Sequence, residues 1–125
     1  MPRLKHPKNG LRLSIGWVAV WASTAVMAQA DYACGGNVGH LGIMSNGALT
    51  LSLAGSTPIH AICSVVAQGP YGMDPVACKV AYAQVLAAKL SAQRITVFYL
   101  TNGYSCGSIP PWGAVGGVYY VQGPD

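Results

Sequence analysis

Residues 63–99 constrain the fold of this chain more than any other stretch. An apolar strand pattern ends at 62–66, a Gly/Pro-rich turn follows, and an Ala-rich segment free of internal Gly and Pro predicts a helix over Pro75–Leu90. β-Branched and aromatic residues then predict a strand over 94–100. We expect the other parts of the chain to pack on this strand–helix–strand unit.

The first thirty residues have the three-part pattern of a secretory signal peptide. Four basic residues open the chain, namely Arg3, Lys5, Lys8 and Arg12. An apolar run over 13–27, short for a membrane-spanning helix, leads to a small-x-small cleavage site that ends at Ala30. We expect cleavage after Ala30, a single domain over 31–125, a periplasmic or secreted location and no membrane association after cleavage. An uncleaved N-terminal anchor is the alternative.

Loss of the signal peptide changes the charge of the protein. The full chain has a formal net charge of +4, but four of its seven Lys and Arg residues lie in residues 1–30. The remaining charged residues cancel formally; they are Lys79, Lys89, Arg94, Asp31, Asp74 and Asp125. Nucleic-acid binding needs clustered cations that neutralise phosphates. We therefore expect no nucleic-acid partner.

The four cysteines all lie after the predicted signal peptide. A domain of this size buries a modest share of its surface, and an even cysteine count in an oxidising compartment indicates two disulfides. A zinc site is the rival, but no pair has Cys-x-x-Cys spacing. Of the three possible pairings, we favour Cys63–Cys78, which ties a strand to the first helical turn, and Cys34–Cys106, which ties the N-terminus to a late loop.

Residues 38–53 predict a β-hairpin with Asn46 and Gly47 at its turn. The leucines of the second run alternate with other residues and therefore share one face. A two-residue turn would place the apolar residues of the first run on the opposite face. A three-residue loop with a left-handed Gly47 pairs Ile43 with Leu49 and places both apolar sets on one face, so we predict that loop.

Three further strands complete the predicted sheet. A turn over 54–58 precedes a third strand over 59–66, which is apolar on both faces and is therefore expected to be central or covered on both sides. The fourth strand is the one described above. A loop over 104–113 leads to a fifth strand over 118–121.

The predicted helix lacks a polar face. Asp74 is a good N-cap and Pro75 suits the first helical position. Lys79 and Lys89 point in different directions at 100° per residue, whereas a surface helix with one buried side normally has a clear charged face. Exposed alanines alone are one explanation. The other is a homo-oligomer in which a second subunit covers the helix Pro75–Leu90.

Motifs for catalysis and cofactor binding do not occur in this sequence. The mature chain has two histidines, His40 and His60, three aspartates and no glutamate. These residues form neither a pattern typical of a nucleophilic triad nor a carboxylate pair for glycoside hydrolysis. No phosphate or dinucleotide motif occurs. We expect no enzyme activity, no cofactor and no metal.

Aromatic residues make binding the better hypothesis. Trp and Tyr offer flat apolar faces with a polar edge, which suits sugar rings and protein surfaces. We expect Tyr99 and one of Tyr119 and Tyr120 to fill the core or cover the sheet. Trp112, after two prolines in a loop, is predicted to be an exposed binding residue, with Tyr104 as a second candidate.

The element order, strand–strand–strand–helix–strand–strand, is that of an OB-type barrel. Five segments add a resemblance: Ile62-Cys63-Ser64, Ala77-Cys78-Lys79, Arg94-Ile95-Thr96-Val97-Phe98-Tyr99, Cys34-Gly35-Gly36-Asn37-Val38 and Cys106-Gly107-Ser108-Ile109-Pro110-Pro111-Trp112. They resemble a family of small exported bacterial proteins, mostly uncharacterised. More distantly, residues 63–99 resemble the B subunits of subtilase cytotoxin and related AB-type toxins.

This resemblance implies a mostly β fold with one central helix, arranged as a small OB-like barrel with two disulfides. It also implies a glycan-binding, oligomeric module in the manner of those toxin subunits. The toxins' sugar-contacting residues do not match positions of this chain, so the resemblance assigns no glycan site. The alternative is a periplasmic protein that binds or inhibits another protein through the aromatic loop.

Overall fold

The computed structural model describes residues 32–124 as a five-stranded antiparallel sheet and one helix. The elements are β1 (Tyr32–Ile43), β2 (Ala48–Leu53), β3 (Thr57–Ser64), α1 (Pro75–Leu90), β4 (Arg94–Tyr99) and β5 (Val118–Gln122). The predicted signal peptide and its cleavage site lie outside these residues. Between residues 32 and 124, no helix combines the length and apolarity needed to cross a membrane.

β1 is the strand that joins the two halves of the sheet. The strand order is β3-β2-β1-β4-β5, and β1 pairs with β4 through residues 32–37 and with β2 through residues 38–43. The prediction that this strand starts only at Val38 was wrong. Gly35 and Gly36 lie within the strand, and glycine weakens the strand pattern in a sequence because it has no side chain to pack.

The hairpin between β1 and β2 confirms the predicted three-residue loop. Ile43 pairs with Leu49, Leu41 pairs with Leu51, and Gly47 is left-handed with φ +84°. Leu49 and Leu51 are fully buried, whereas Ile43 is exposed at the end of the hairpin. The register is therefore as predicted, but the buried face ends before the turn.

β3 begins and ends two residues earlier than predicted, and side-chain hydrogen bonds explain both boundaries. At the start, the Thr57 hydroxyl oxygen accepts a hydrogen bond from the Leu53 N–H at 3.0 Å. At the end, the Ser64 hydroxyl oxygen accepts from the N–H groups of Val66 at 3.2 Å and Ala67 at 3.4 Å. Such local bonds replace the strand ladder, so residues 65 and 66 leave the sheet.

The outer edge of β3 is covered by a segment of the β4–β5 connection rather than by a full strand. β3 lies at one end of the sheet and β5 at the other. Ala61 and Ala114 form an isolated parallel bridge, in which the Ala61 N–H donates to Gly113 O and the Val115 N–H donates to Ala61 O, both at 2.9 Å. The sheet is thus open, with one short contact beyond β3, and β3 is not the central strand that was one of the two predicted placements.

α1 has the predicted bounds and caps. The Asp74 carboxylate accepts a hydrogen bond from the Ala77 N–H at 2.8 Å, and Pro75 occupies the first turn. The buried residues of α1 are Cys78, Ala81, Val85 and Ala88. They join the core with the inward-facing leucines of β2 and with Ile95, Val97 and Tyr99 of β4. The core therefore lies between α1 and the inward-facing side of the sheet.

Two disulfides connect the parts of the fold, and they are the pairs favoured from the sequence. Cys63–Cys78, with Cα atoms 5.7 Å apart, joins β3 to the first turn of α1. Cys34–Cys106, with Cα atoms 5.6 Å apart, joins β1 to the β4–β5 connection. Each bond links segments that belong to different elements, so both restrict the tertiary arrangement.

Candidate functional site

Trp112 combines exposure with a costly backbone conformation. Its side chain is 58% exposed and its φ is +63°. Bulky residues seldom adopt left-handed backbone angles, and such outliers cluster at functional sites. The sequence-based prediction of an exposed Trp112 agrees with this position.

β3 fixes the backbone around Trp112. The Trp112 N–H donates to Ile59 O at 2.6 Å, and the bridge between Ala61 and Ala114 follows directly. Gly113 N–H also donates to Pro110 O at 3.0 Å, which closes a turn within the loop. The indole is therefore presented to solvent from a backbone that is held on the edge of the sheet.

His40 is the aromatic neighbour of Trp112. The two ring centroids are 5.7 Å apart with an interplanar angle of 73°, an edge-to-face arrangement. His40 lies on β1, and its Nε2 is 3.2 Å from the Thr50 hydroxyl oxygen on β2. We call Trp112, His40 and Thr50 together the Trp112 platform.

Hydrogen bonds define which nitrogen of His40 is already engaged. The Thr50 hydroxyl donates to Gly42 O at 3.2 Å, so its oxygen must accept from the His40 Nε2–H. In the neutral ring, Nδ1 then carries a lone pair. Among residues 32–124, none donates a hydrogen bond to that nitrogen. The neutral His40 ring of the platform thus has one nitrogen that receives no hydrogen bond from residues 32–124.

Tyr104, the second predicted binding residue, lies in a different environment. Its side chain is exposed, and its N–H donates to the Asn102 side-chain oxygen at 3.1 Å. The Tyr32 hydroxyl donates to the same oxygen at 2.8 Å. Trp112, in contrast, contacts His40 and β3. The structure therefore brings Trp112 together with His40, while Tyr104 belongs to the surroundings of Asn102.

His60 takes part in the core and not in an open site. It is fully buried, with Nδ1 2.8 Å from Pro58 O and Nε2 2.7 Å from the Tyr99 hydroxyl. Because Pro58 O can only accept, Nδ1 carries the proton and Nε2 accepts from Tyr99. Burial lowers the pKa of His60, so the neutral ring is favoured. Tyr32 stacks on Tyr99 at a centroid distance of 4.7 Å and continues the network.

An apolar groove of about 370 Å³ runs between α1 and β5. Its lining residues are Met73, Ala77, Val80, Ala81, Gln84, Tyr119, Tyr120 and Val121. The amide nitrogen of Gln84 donates to Val121 O at 3.1 Å and to Gly123 O, so this polar group is already engaged. The groove therefore offers apolar contact and little hydrogen bonding.

Both tyrosines of β5 are exposed, so neither of them fills the core, and the ring of Tyr120 lies against that of Phe98 on β4 with the centroids 5.4 Å apart. Val118 pairs with Tyr99 and Tyr120 pairs with Phe98, so Tyr119 lies in a β-bulge. The bulge breaks the alternation of β5 and leaves Val118 and Val121 as its buried residues. A bulge is set by pairing with the neighbouring strand, and the sequence of β5 alone contains no signal for it.

His40 and Thr50 were not singled out as binding residues from the sequence. They are separated from Trp112 by more than sixty positions, and their proximity follows from the contact of the β4–β5 connection with β3.

Comparisons with protein-family models, with curated proteins and with solved structures find no match. Within residues 32–124, no group of three His, Cys, Asp or Glu side chains is placed to hold a metal ion.

Proposed function

We propose that residues 31–125 form an exported, disulfide-stabilised binding module with an OB-like barrel fold. The element order, the sharing of β1 between β2 and β4, and the parallel contact of β3 with residue Ala114 all fit that barrel. Two disulfides are typical of an oxidising compartment, which supports a periplasmic or secreted protein. We assign no catalytic step to the module.

In the proposed OB-like barrel, the Trp112 platform would belong to the ligand-binding face. Ligands of such barrels lie against the second and third strands and the loops that follow the first and fourth strands. Trp112 belongs to the β4–β5 connection and is hydrogen-bonded to β3, while Thr50 belongs to β2. This coincidence of an exposed, strained tryptophan with the expected binding face is the observation that carries the proposal.

The ligand class that we propose is a glycan. The apolar face of a sugar ring would stack on the Trp112 indole, and a ring hydroxyl would donate a hydrogen bond to His40 Nδ1. The chemistry available on the platform is limited to one aromatic face and a few hydrogen-bonding groups, which suits a neutral sugar. A protein ligand is the second candidate, because an exposed tryptophan after Pro110 and Pro111 also resembles an interface hot spot.

A glycan array with the disulfide-bonded mature protein tests this proposal. We expect a defined group of oligosaccharides to bind, and we expect Trp112→Ala to weaken the binding of a soluble oligosaccharide at least tenfold in calorimetry. Because the Trp112 side chain is exposed, the variant should keep its fold, as checked by circular dichroism. Tyr119→Ala removes another exposed aromatic residue, on β5, and should leave the sugar affinity unchanged.

Two results would contradict the glycan proposal. One is an array without any bound sugar, and the other is unchanged affinity in Trp112→Ala. If no sugar binds while a protein is retained from an envelope extract and lost with Trp112→Ala, the protein-binding alternative replaces the glycan. If Tyr119→Ala loses as much sugar affinity as Trp112→Ala, the sugar does not bind on the platform alone, and the groove between α1 and β5 becomes the candidate site.

A further inference from the structure

The exposed face of α1 carries a regular apolar pattern. The side opposite the core presents Val76, Val80, Ala83, Ala87 and Leu90, which we call the α1 seam. Their spacings alternate between four and three residues, the pattern of the contact positions of a coiled-coil helix. Val76, Val80 and Leu90 are 72%, 65% and 80% exposed. An apolar surface patch of several hundred Å² often marks an interaction site.

We propose that the α1 seam is the interface of a symmetric dimer, in which the helices of two copies of this chain pack antiparallel with Ala83 at the two-fold axis. The occupant of the seam is thus a second copy. This inference concerns assembly and does not depend on which ligand the Trp112 platform binds.

Side-chain sizes favour the antiparallel direction. With Ala83 facing the partner's Ala83, Val76 faces the partner's Leu90, and Val80 lies within one residue of the partner's Ala87 along the axis. Val76 and Leu90, both large, thus meet at each end of the interface. Between each end and the centre, the large Val80 meets the small Ala87. In a parallel pair, each residue would face its own copy, so Val80 would face Val80, Ala87 would face Ala87, and no large residue would pack against a small one. Antiparallel helices also oppose their macrodipoles favourably.

Charge favours the same arrangement. Lys79 flanks the seam, and α1 contains no acidic residue that could pair with it. In a parallel dimer, the two Lys79 side chains would lie side by side. In the antiparallel dimer, they are eight helical positions apart along the axis, about 12 Å at 1.5 Å per residue. That separation exceeds the Debye length of about 8 Å at physiological ionic strength, so their repulsion is screened.

The available area fits a weak dimer. The groove continues the seam, because Val80 belongs to both, and Tyr119 and Tyr120 add about half of their surfaces. Together these residues expose on the order of 600 Å² per copy, so that a dimer would bury about 1,200 Å², the lower end of the range for specific interfaces. We expect dissociation in the micromolar range.

Sedimentation equilibrium on the disulfide-bonded mature protein is the first test. We expect dimers at about 100 µM chain and monomers well below 1 µM. Ala83→Glu places two carboxylates at the two-fold axis and should raise the dissociation constant at least tenfold. The matched control is Ala67→Glu, the same substitution at an exposed residue of the β3–α1 connection, which should leave the dissociation constant unchanged.

Cross-linking tests the direction of the helices. With a short bifunctional maleimide, Ala83→Cys should cross-link to itself. Val76→Cys should not, but it should cross-link to Leu90→Cys when the two variants are mixed. Self-cross-linking of Val76→Cys would overturn the antiparallel arrangement.

Other outcomes would overturn the dimer itself. They are a strict monomer at about 100 µM, a larger ring, or an unchanged dissociation constant in Ala83→Glu. Trp112→Ala should dimerise like the wild type, which separates a failure of this inference from a failure of the glycan proposal.

Discussion

His60 lies on β3 between the carbonyl of Pro58 and the hydroxyl of Tyr99, and both contacts use the neutral imidazole. A protonated ring would carry a hydrogen on Nε2 and could no longer accept from Tyr99. Burial lowers the pKa of His60 and raises that of Tyr99, and the neighbouring Tyr32 adds to the second effect. The Tyr99 hydroxyl therefore stays protonated at neutral pH and continues to donate.

We predict that acid weakens the fold through His60. In the unfolded chain its pKa is about 6.5, and in the folded chain it is lower. Below about pH 6.5 the unfolded state therefore binds more protons, so the free energy of unfolding falls with pH until the folded pKa is passed. Well above pH 6.5 this group contributes no slope. Urea unfolding between pH 7.5 and pH 5 should show the decline, which His60→Gln should reduce.

A direct titration keeps this prediction testable if His60→Gln folds poorly. The proton signal of the His60 ring in the wild-type protein should titrate with a midpoint below 6.5 in nuclear magnetic resonance. A midpoint at or above that value, or the same pH slope in wild type and His60→Gln, would contradict the assignment.

The C-terminal end of α1 contains a residue in a costly backbone conformation. Gln93 N–H donates to Ala88 O at 3.0 Å and Ala92 N–H to Lys89 O at 3.3 Å, the hydrogen-bond pattern of a Schellman motif. Ala92 is left-handed with φ +52°, at the position that glycine usually occupies. Alanine adopts this conformation at a cost of about 1–2 kcal/mol.

We predict that Ala92→Gly stabilises the protein by about 0.5–1 kcal/mol, because the removed strain exceeds the entropy cost of glycine. The Ala92 carbonyl, which accepts from the Asn37 side chain, is kept in this variant. Urea unfolding with intact disulfides measures the change. Ala83→Gly in the middle of α1 is the control and should destabilise by about 1 kcal/mol when the chain is kept monomeric by dilution. A loss of stability in Ala92→Gly would contradict the strain argument.

Elements with a complete local signal could be predicted from the sequence, and elements set by their neighbours could not. The start of α1 follows from Asp74 and Pro75, and the β1–β2 register follows from the requirement that apolar residues share one face. The first half of β1 was missed because its pairing with β4 is long-range and its glycines carry no strand signal. The bulge at Tyr119 was missed for a similar reason, since it depends on the pairing with β4.

The site was only partly predictable. Trp112 could be selected because two prolines and an isolated loop indicate exposure. Its left-handed backbone and its contact with His40 arise from hydrogen bonds to β3, and the sequence does not contain that geometry. Tyr104, like Trp112, is an aromatic residue of the predicted loop over 104–113. In the structure, however, it lies beside Asn102. Composition identifies aromatic candidates, and topology decides which of them lie together.

For the molecule as a whole, the two disulfides restrict the unfolded chain to different extents. Cys34–Cys106 spans 72 positions, and Cys63–Cys78 spans 15. In the chain-entropy description, Cys34–Cys106 raises the free energy of unfolding by about 4 kcal/mol and Cys63–Cys78 raises it by about 3 kcal/mol. Cys63 and Cys78 are both fully buried, so replacing them also removes core packing.

We predict that the paired change Cys34→Ala with Cys106→Ala lowers the free energy of unfolding by about 4 kcal/mol. Cys63→Ala with Cys78→Ala should lower it by about 3 kcal/mol plus the cost of the lost packing. Urea unfolding of both variants, with reduced and re-oxidised wild-type protein as the control, provides the values. A loss below about 1 kcal/mol for the first pair would mean that residual structure in the unfolded chain already holds these ends together.

The nesting of these bonds bears on how the protein is made. Along the chain the cysteines come in the order Cys34, Cys63, Cys78 and Cys106, yet the first is bonded to the last and the second to the third. In the exported protein proposed here, Cys34 and Cys63 would emerge from the translocation machinery first, where an oxidase could join them in a non-native bond. Thiol–disulfide exchange would have to undo that bond. The yield of native protein should therefore depend on a disulfide isomerase as well as on an oxidase.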